Sequence, residues 1–145
     1  MTIGADRDAL LTDWIRGGAA AGWAWGALDC SIWAADWVRI VRGADPAAAW
    51  RGRYRTARGC ARLIRRHPGG LAAMAADGLL SIGCLTVAPD VARPGDVGII
   101  RGIDPARTGV VVEAIAIRGR ASWITKIERG IARHDPGAAV AAWEV

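Results

Sequence analysis

Cys30 is the residue of this chain whose type and position best suit covalent chemistry. It follows Asp29 and begins an apolar pattern at helical spacing, formed by Cys30, Trp33, Ala34, Trp37, Val38 and Val41. This pattern predicts a helix from about Asp29 to Arg42, with Asp29 as its N-cap and Gly43 after its end. Unpaired N–H groups in the first helical turn favour an anion, so we expect the thiol to ionise readily, as a nucleophile must. The alternative is that Cys30 is a small core residue, the commoner role of a cysteine on an apolar stripe.

A cysteine nucleophile also needs a base within hydrogen-bond reach, most often a histidine. The chain has two histidines, His67 and His134. His134 precedes Asp135 and becomes the candidate base if the C-terminal segment crosses the cleft. His67 stands before Pro68 at the end of a predicted helix, a position more typical of a helix-terminal cation than of a base.

The residues around Cys30 carry a resemblance to a known family. The run Trp25-Gly26-Ala27-Leu28-Asp29-Cys30-Ser31 resembles the signature of NlpC-type papain-like peptidases, which cut the peptide stems of bacterial cell wall. A wider set of segments resembles small phage and prophage proteins that are encoded among tail genes and are thought to share that fold. These segments are 25–37, 43–46, 50–56 and 142–145. The resemblance implies that Cys30 is the nucleophile and that Asp29 belongs to the catalytic site beside it. The aromatic, turn-forming approach to the helix predicts that Trp23, Trp25 and Gly26 form a substrate cleft.

The same resemblance exposes a missing group. In the NlpC-type family a Pro-Gly-Asp turn leads into a strand, and the catalytic histidine begins the next strand. The chain has the turn at Arg93-Pro94-Gly95-Asp96, but Arg107-Thr108-Gly109 fill the place of the histidine. General acid and base catalysis is worth ~10²–10⁴-fold in rate, so a peptidase without this group would need a substitute.

Three functional hypotheses follow. The first is a phage-tail cysteine peptidase that acts on peptidoglycan. The second is a tail-tip structural or assembly protein that keeps the papain-like fold without the chemistry. The third is a basic module that binds nucleic acid or an envelope polyanion.

Arginine dominates the charge of the chain. The net charge is +5, carried by eighteen arginines and one lysine. A dense group lies on an irregular strip and on the helix predicted after Thr56: Arg51, Arg53, Arg55, Arg58 and Arg62. We expect this group to dock onto other phage tail or baseplate proteins. Nucleic acid is a weaker expectation, because no groove-reading or stacking motif accompanies the charge.

The order of predicted elements favours an α+β fold in a single domain, residues 1–145. Helices are expected at Arg7 to Arg16, ended by Gly17-Gly18, then at Asp29 to Arg42, after Thr56, and at Leu71 to Ala76. Strands are expected at 97–100, 109–117 and 121–127, with a hairpin at Arg118-Gly119-Arg120 and an edge strand at Val140 to Val145. This order matches a papain-like, NlpC-type domain in which the cysteine helix packs on a small antiparallel sheet.

Bulk properties exclude several classes of protein. Cys30, Cys60 and Cys84 are odd in number and lack metal-ligand spacing, so neither a disulfide framework nor a metal or other cofactor is expected. No apolar run reaches the ~18–20 residues of a membrane span. The start, Met1 to Asp8, lacks the basic and apolar regions of a secretory signal. We therefore expect a protein that stays in the cytoplasm where it is made or leaves by another vehicle. The resemblance to proteins encoded among phage tail genes implies that this vehicle is the virion tail, through which the protein reaches the host periplasm on entry.

Overall fold

The computed structural model describes residues 3–103, 107 and 109–145. Helices fill the first half of the chain and strands the second, so the predicted α+β class is confirmed. The described helices are α1 (Ile3–Ala20), α2 (Cys30–Arg42), α3 (Ala57–Arg66) and α4 (Gly70–Ser81). The described strands are β1 (Thr86–Val87), β2 (Val97–Ile103), β3 (Val111–Arg118), β4 (Trp123–Ile127), β5 (Gly130–His134) and β6 (Ala139–Trp143).

The six strands form one sheet in the order β1-β6-β2-β3-β4-β5. Every neighbouring pair is antiparallel. Helix α2 packs against β3 and β4, while α1 lies against β5. The cysteine helix therefore lies on an antiparallel sheet, as the order of elements predicted.

The two faces of the sheet carry different packing partners. Ile115 and Ile117 of β3 and Ile124 of β4 join Trp33, Trp37 and Val38 of α2 in the main core. On the other face, Trp123 packs with Ile100, Ala116 and Ala142. Because side chains alternate along a strand, these two clusters settle which face each residue of β4 and β5 occupies.

Helix α2 forms as the sequence predicts. The Asp29 carboxylate accepts the Ile32 N–H at 2.9 Å, and Gly43 ends the helix with a φ of 72°. Trp33, Ala34, Trp37 and Val38 of the predicted stripe are buried, whereas Cys30 and Val41 are half-buried. A second cluster buries Ile32 and Ala35 against Trp50 and Tyr54, so α2 is covered on more of its surface than one stripe.

Helix α1 is longer than predicted, because Gly17-Gly18 do not end it. A Cβ on Gly18 would lie 2.7 Å from Nε1 of Trp33, so this glycine allows α1 to approach α2 closely. Helix α4 is also longer than the predicted 71–76 segment and runs to Ser81. Across the described residues, no helix combines the length and the apolar character needed to cross a membrane.

Two predictions about the sheet are wrong. The last strand, β6, is not at an edge, because it lies between β1 and β2. The two-residue strand β1 pairs Thr86 with Trp143 and covers that side, and it is too short to show a pattern in sequence. Strand β5 was not predicted, since its apolar residues Ile131 and Ala132 are followed at once by Arg133 and His134.

Candidate functional site

The carboxylate of Asp29 is the centre of a buried hydrogen-bond network at the start of α2. Its side chain is 1% exposed. Oδ1 accepts the Ile32 N–H at 2.9 Å, and Oδ2 accepts both the Gly26 N–H at 2.9 Å and the Tyr54 hydroxyl at 2.5 Å. One carboxylate therefore joins the aromatic turn before α2, the first turn of α2, and the segment that leads into α3.

Tyr54 is the side-chain donor in this network. The side chain is 5% exposed, and burial together with the hydrogen bond to Asp29 raises the pKa of the phenol. Gly26, with a φ of 81°, lies so close that a Cβ would be 2.0 Å from the Tyr54 carbonyl oxygen. No other residue fits there without moving the backbone. The absence of a side chain at Gly26 thus allows the turn before α2 to pack against the backbone of Tyr54.

The Cys30 thiol lies beside this network, half-buried at the first position of α2. Its Sγ is 3.9 Å from Ser31 Oγ. Burial, followed by the nearby Asp29 carboxylate, raises the pKa of the thiol from its ordinary 9.0 to about 11. The expectation of an easily ionised thiol is therefore wrong, because desolvation and a neighbouring negative charge outweigh the helix terminus. At neutral pH only about one molecule in ten thousand would carry a thiolate.

His134 does not approach Cys30. It pairs in register with Trp123, and its Nε2 lies 2.8 Å from Thr125 Oγ1. Register partners share a face of the sheet, and Trp123 is on the face opposite α2. The predicted base therefore lies across the sheet from the helix that carries the thiol. Burial lowers its pKa, so the ring is neutral at pH 7.

His67 is held at the far end of α3. Its Nε2 lies 2.9 Å from Asp77 Oδ2 of α4. Tyr54 contacts the first turn of α3 near Gly59, and the ten residues of α3 span about 15 Å. His67 thus caps a helix end and pairs with an acid, as its sequence position suggested. Of the segment 107–109 that fills the family's histidine position, Thr108 lies outside the described residues.

The predicted cleft residues Trp23 and Trp25 do meet. Their rings are in edge-to-face contact at 5.0 Å, and Trp25 also packs against the cluster that contains Tyr54. The indole N–H of Trp23 is buried and has no acceptor among the described residues. These side chains shape the surface before Cys30, but the structure pairs that surface with neither histidine. Within the described residues, no group of three His, Cys, Asp or Glu side chains could hold a metal ion.

The arginine-rich region divides into two kinds of side chain. Arg51 is engaged, because it lies 2.8 Å from both Asp36 and Asp45, and we remove it from the docking surface. The others are exposed and form no ion pair within the described part of the chain. We call them the arginine surface: Arg53, Arg55, Arg58, Arg62, Arg65 and Arg66.

Sequence reasoning missed two anchoring residues. Tyr54 lies among the arginines of the strip at 51–55 and was assigned no role, although a buried phenol must find a hydrogen-bond partner. Lys126, the single lysine, is buried, and its Nζ donates to the carbonyls of Ala21, Ile127 and Gly130 at 2.8–3.0 Å. Burial lowers its pKa. Its place between apolar Ile124 and Ile127 in a strand was the available signal, since a charge at an inward position needs partners.

Comparison with curated proteins and with solved structures finds no match. A family model matches residues 5–145, nearly the whole chain, and its description is a domain of unknown function. The chain that carries the Asp29 network, the Cys30 thiol and the arginine surface therefore belongs to this family, DUF6950.

Proposed function

We propose that this chain is a docking protein of the phage tail that keeps an NlpC-type, papain-like arrangement and does not hydrolyse peptide bonds. One observation carries the proposal: the thiol of Cys30 has a raised pKa, and both histidines are engaged elsewhere, at Asp77 and at Thr125. A cysteine hydrolase needs a thiolate and a neighbouring group that accepts the thiol proton as a base and then donates a proton to the leaving amine as an acid. Neither is provided by the described residues.

The fold supports the papain-like part of the proposal. Helices precede an antiparallel sheet, α2 lies on the sheet with Cys30 at its first position, and the Pro-Gly-Asp turn leads into β2. Hydrogen bonds from Gly26 and Tyr54 to the Asp29 carboxylate hold the shape of the site. Among the described residues, neither histidine takes part in this network. This is the arrangement expected of a site kept as a scaffold.

The arginine surface supports docking. Guanidinium groups form paired, directional hydrogen bonds with carboxylates, so exposed arginines without an ion pair fit an acidic protein surface. Nucleic acid is a poorer fit, because Tyr54, the aromatic residue within the strip, is buried and bonded to Asp29 and offers no face for a base. We therefore infer that the partner is an acidic face of another tail or baseplate protein.

The test is tail assembly in a phage or prophage that encodes this protein. The variant carries Arg58→Gln, Arg62→Gln and Arg65→Gln, all exposed on α3. We expect intact tails, counted by electron microscopy, to fall by about tenfold or more, because central charged contacts dominate such interfaces. A matched variant with lysine at the same three positions keeps the charge but loses the paired guanidinium hydrogen bonds, so its assembly should lie between that of the glutamine variant and that of the parent.

Cys30→Ala separates docking from hydrolysis in the same system. The proposal expects this variant to assemble tails and infect normally. Loss of infectivity with Cys30→Ala, together with normal assembly in the triple glutamine variant, would overturn it. Binding of both parent and lysine variant to DNA, with affinity that falls steeply with salt, would favour the basic-module hypothesis instead.

The second candidate is a cysteine peptidase, since Cys30 is half-buried rather than sealed and lies shortly after the Trp25-Gly26 turn, next to Asp29. Its test is incubation of the parent and of Cys30→Ala with peptidoglycan, followed by mass spectrometry of the released fragments. Stem-peptide fragments from the parent, and none from Cys30→Ala, would establish this candidate and would require that a base of this chain reaches the Cys30 thiol in solution.

A further inference from the structure

A groove of about 330 Å³ lies between α1 and the turn that joins β3 to β4, away from Cys30 and from the arginine surface. Three arginines from three different elements line it: Arg16 of α1, Arg120 of the turn and Arg133 of β5. All three are exposed, and none forms an ion pair within the part of the chain that the structure describes. Their convergence concentrates positive charge at one small concave site.

The floor of the groove is aliphatic. Leu11, Ile15 and Ile124 line it, and Leu11 and Ile124 are 4% and 1% exposed as parts of the main core. No aromatic side chain lines the groove, so it lacks a platform for a nucleobase. A rigid apolar floor with a cationic rim fits a ligand that has both an aliphatic body and negative charge.

The rim of the groove carries a negative group as well as the three arginines. Asp8 lines the groove with Thr12, whose hydroxyl donates to the Asp8 carbonyl at 2.9 Å. The Asp8 carboxylate repels an anion, so the negative charge of a ligand belongs beside the arginines. A carboxylate suits that place, because it pairs with a planar guanidinium through two parallel hydrogen bonds.

We propose that this groove binds a short acidic peptide segment, with an aliphatic side chain on the floor and carboxylates against Arg16, Arg120 and Arg133. An internal stretch of a partner protein and a free C-terminus share this carboxylate chemistry, and the experiment below distinguishes them. The groove is formed by α1, β4 and β5, so its role does not depend on the arginine surface.

The experiment is fluorescence anisotropy with a labelled peptide of alternating Asp and Leu residues. The test variant carries Arg120→Gln and Arg133→Gln, and the matched control carries Arg93→Gln and Arg129→Gln, which remove the same charge from exposed positions outside both the groove and the arginine surface. We expect the groove variant to lose about tenfold or more in affinity and the control to lose less than about threefold. Circular dichroism and thermal melting check that both variants are folded, as expected for exposed positions.

Three comparison ligands complete the test. A peptide with Asn for Asp and a peptide with Ser for Leu should each bind much more weakly to the parent protein. The same peptide with a C-terminal amide distinguishes a free C-terminus from an internal segment. Equal loss in both double variants, equal binding of the uncharged peptide, or displacement by inorganic phosphate at peptide-like concentrations would each overturn the proposal.

Discussion

Neighbouring residues at the start of α2 have opposite electrostatic environments. The Asp29 carboxylate accepts three hydrogen bonds, whereas the adjacent Cys30 thiol has Ser31 Oγ at 3.9 Å and the negative charge of Asp29 nearby. Burial, followed by the nearby Asp29 carboxylate, thus raises the pKa of the thiol. This arrangement favours a structural role for Asp29 and argues against a catalytic role for Cys30.

Alkylation of Cys30 by iodoacetamide should follow this raised pKa. We expect the rate, measured by peptide mass spectrometry, to have its midpoint near pH 11 rather than near 9.0. Between these values the unfolded chain loses the thiol proton and the folded chain keeps it. The contribution of this group to stability is therefore complete below pH 9.0 and is lost as the pH rises through about 11. A midpoint at or below about pH 8 would restore the activated nucleophile and the peptidase candidate.

Tyr54→Phe removes the hydroxyl that donates to Asp29 and leaves the ring in place. Hydrogen bonds to a charged group contribute about 1.5–3 kcal/mol, so the free energy of unfolding should fall by about that amount. The measurement is urea denaturation of Tyr54→Phe, Asp29→Asn and the double variant. A coupling energy near zero in this double-mutant cycle would mean that the two groups do not interact in solution.

At the scale of elements, the contact between α1 and α2 depends on the position of one glycine. Gly18→Ala places a methyl carbon within 2.8 Å of the Trp33 indole ring, and we expect a loss of about 1–3 kcal/mol. Gly17→Ala, one residue earlier, meets nothing within 4 Å and should be neutral or stabilising by up to ~1 kcal/mol. Thermal denaturation of the pair measures the difference. Equal effects of the two substitutions would show that the helices are not packed in this way.

Local signals predicted the elements that carry their own start and stop. Asp29 and Gly43 bound α2, and Thr56 accepts the Gly59 N–H at 3.0 Å at the start of α3, as expected of N-caps. Signals that depend on a distant partner were misread. Gly18 has the sequence appearance of a helix end, yet it is retained inside α1 for contact with Trp33.

The candidate site shows the same limit. The place of Cys30 directly after Asp29 in the sequence predicted that it stands at a helix N-terminus. The pKa of its thiol, however, depends on burial and on the charge of the nearby Asp29 carboxylate. His134 was the candidate base because it precedes Asp135 in a C-terminal segment that was expected to cross the cleft, and the register with Trp123 places it on the opposite face of the sheet. Tertiary pairing, which a single sequence does not encode locally, decides both outcomes.

At the scale of the whole molecule, the turn at 93–96 joins parts of the chain that are far apart in sequence. Trp37 of α2 donates its indole N–H to the Gly95 carbonyl at 2.8 Å. Arg7 of α1 lies 3.4 Å from Asp96 and also donates to the Val145 carbonyl. The Pro-Gly-Asp motif thus anchors two helices and the last residue to the start of β2.

Asp96 is the member of this junction whose removal should cost most. It is 1% exposed, and its carboxylate accepts the N–H groups of Arg93 at 2.8 Å and Val145 at 3.2 Å. Asp96→Ala would leave these donors and the Arg7 guanidinium without their acceptor, so we expect a loss of about 2–4 kcal/mol in unfolding free energy. Asp90→Ala removes the same charge from an exposed position and should change stability by less than about 0.5 kcal/mol. Urea denaturation gives both values, and hydrogen exchange should show the added opening at β6 and α1. Similar losses in the two variants would mean that net charge, rather than this junction, holds the ends of the fold together.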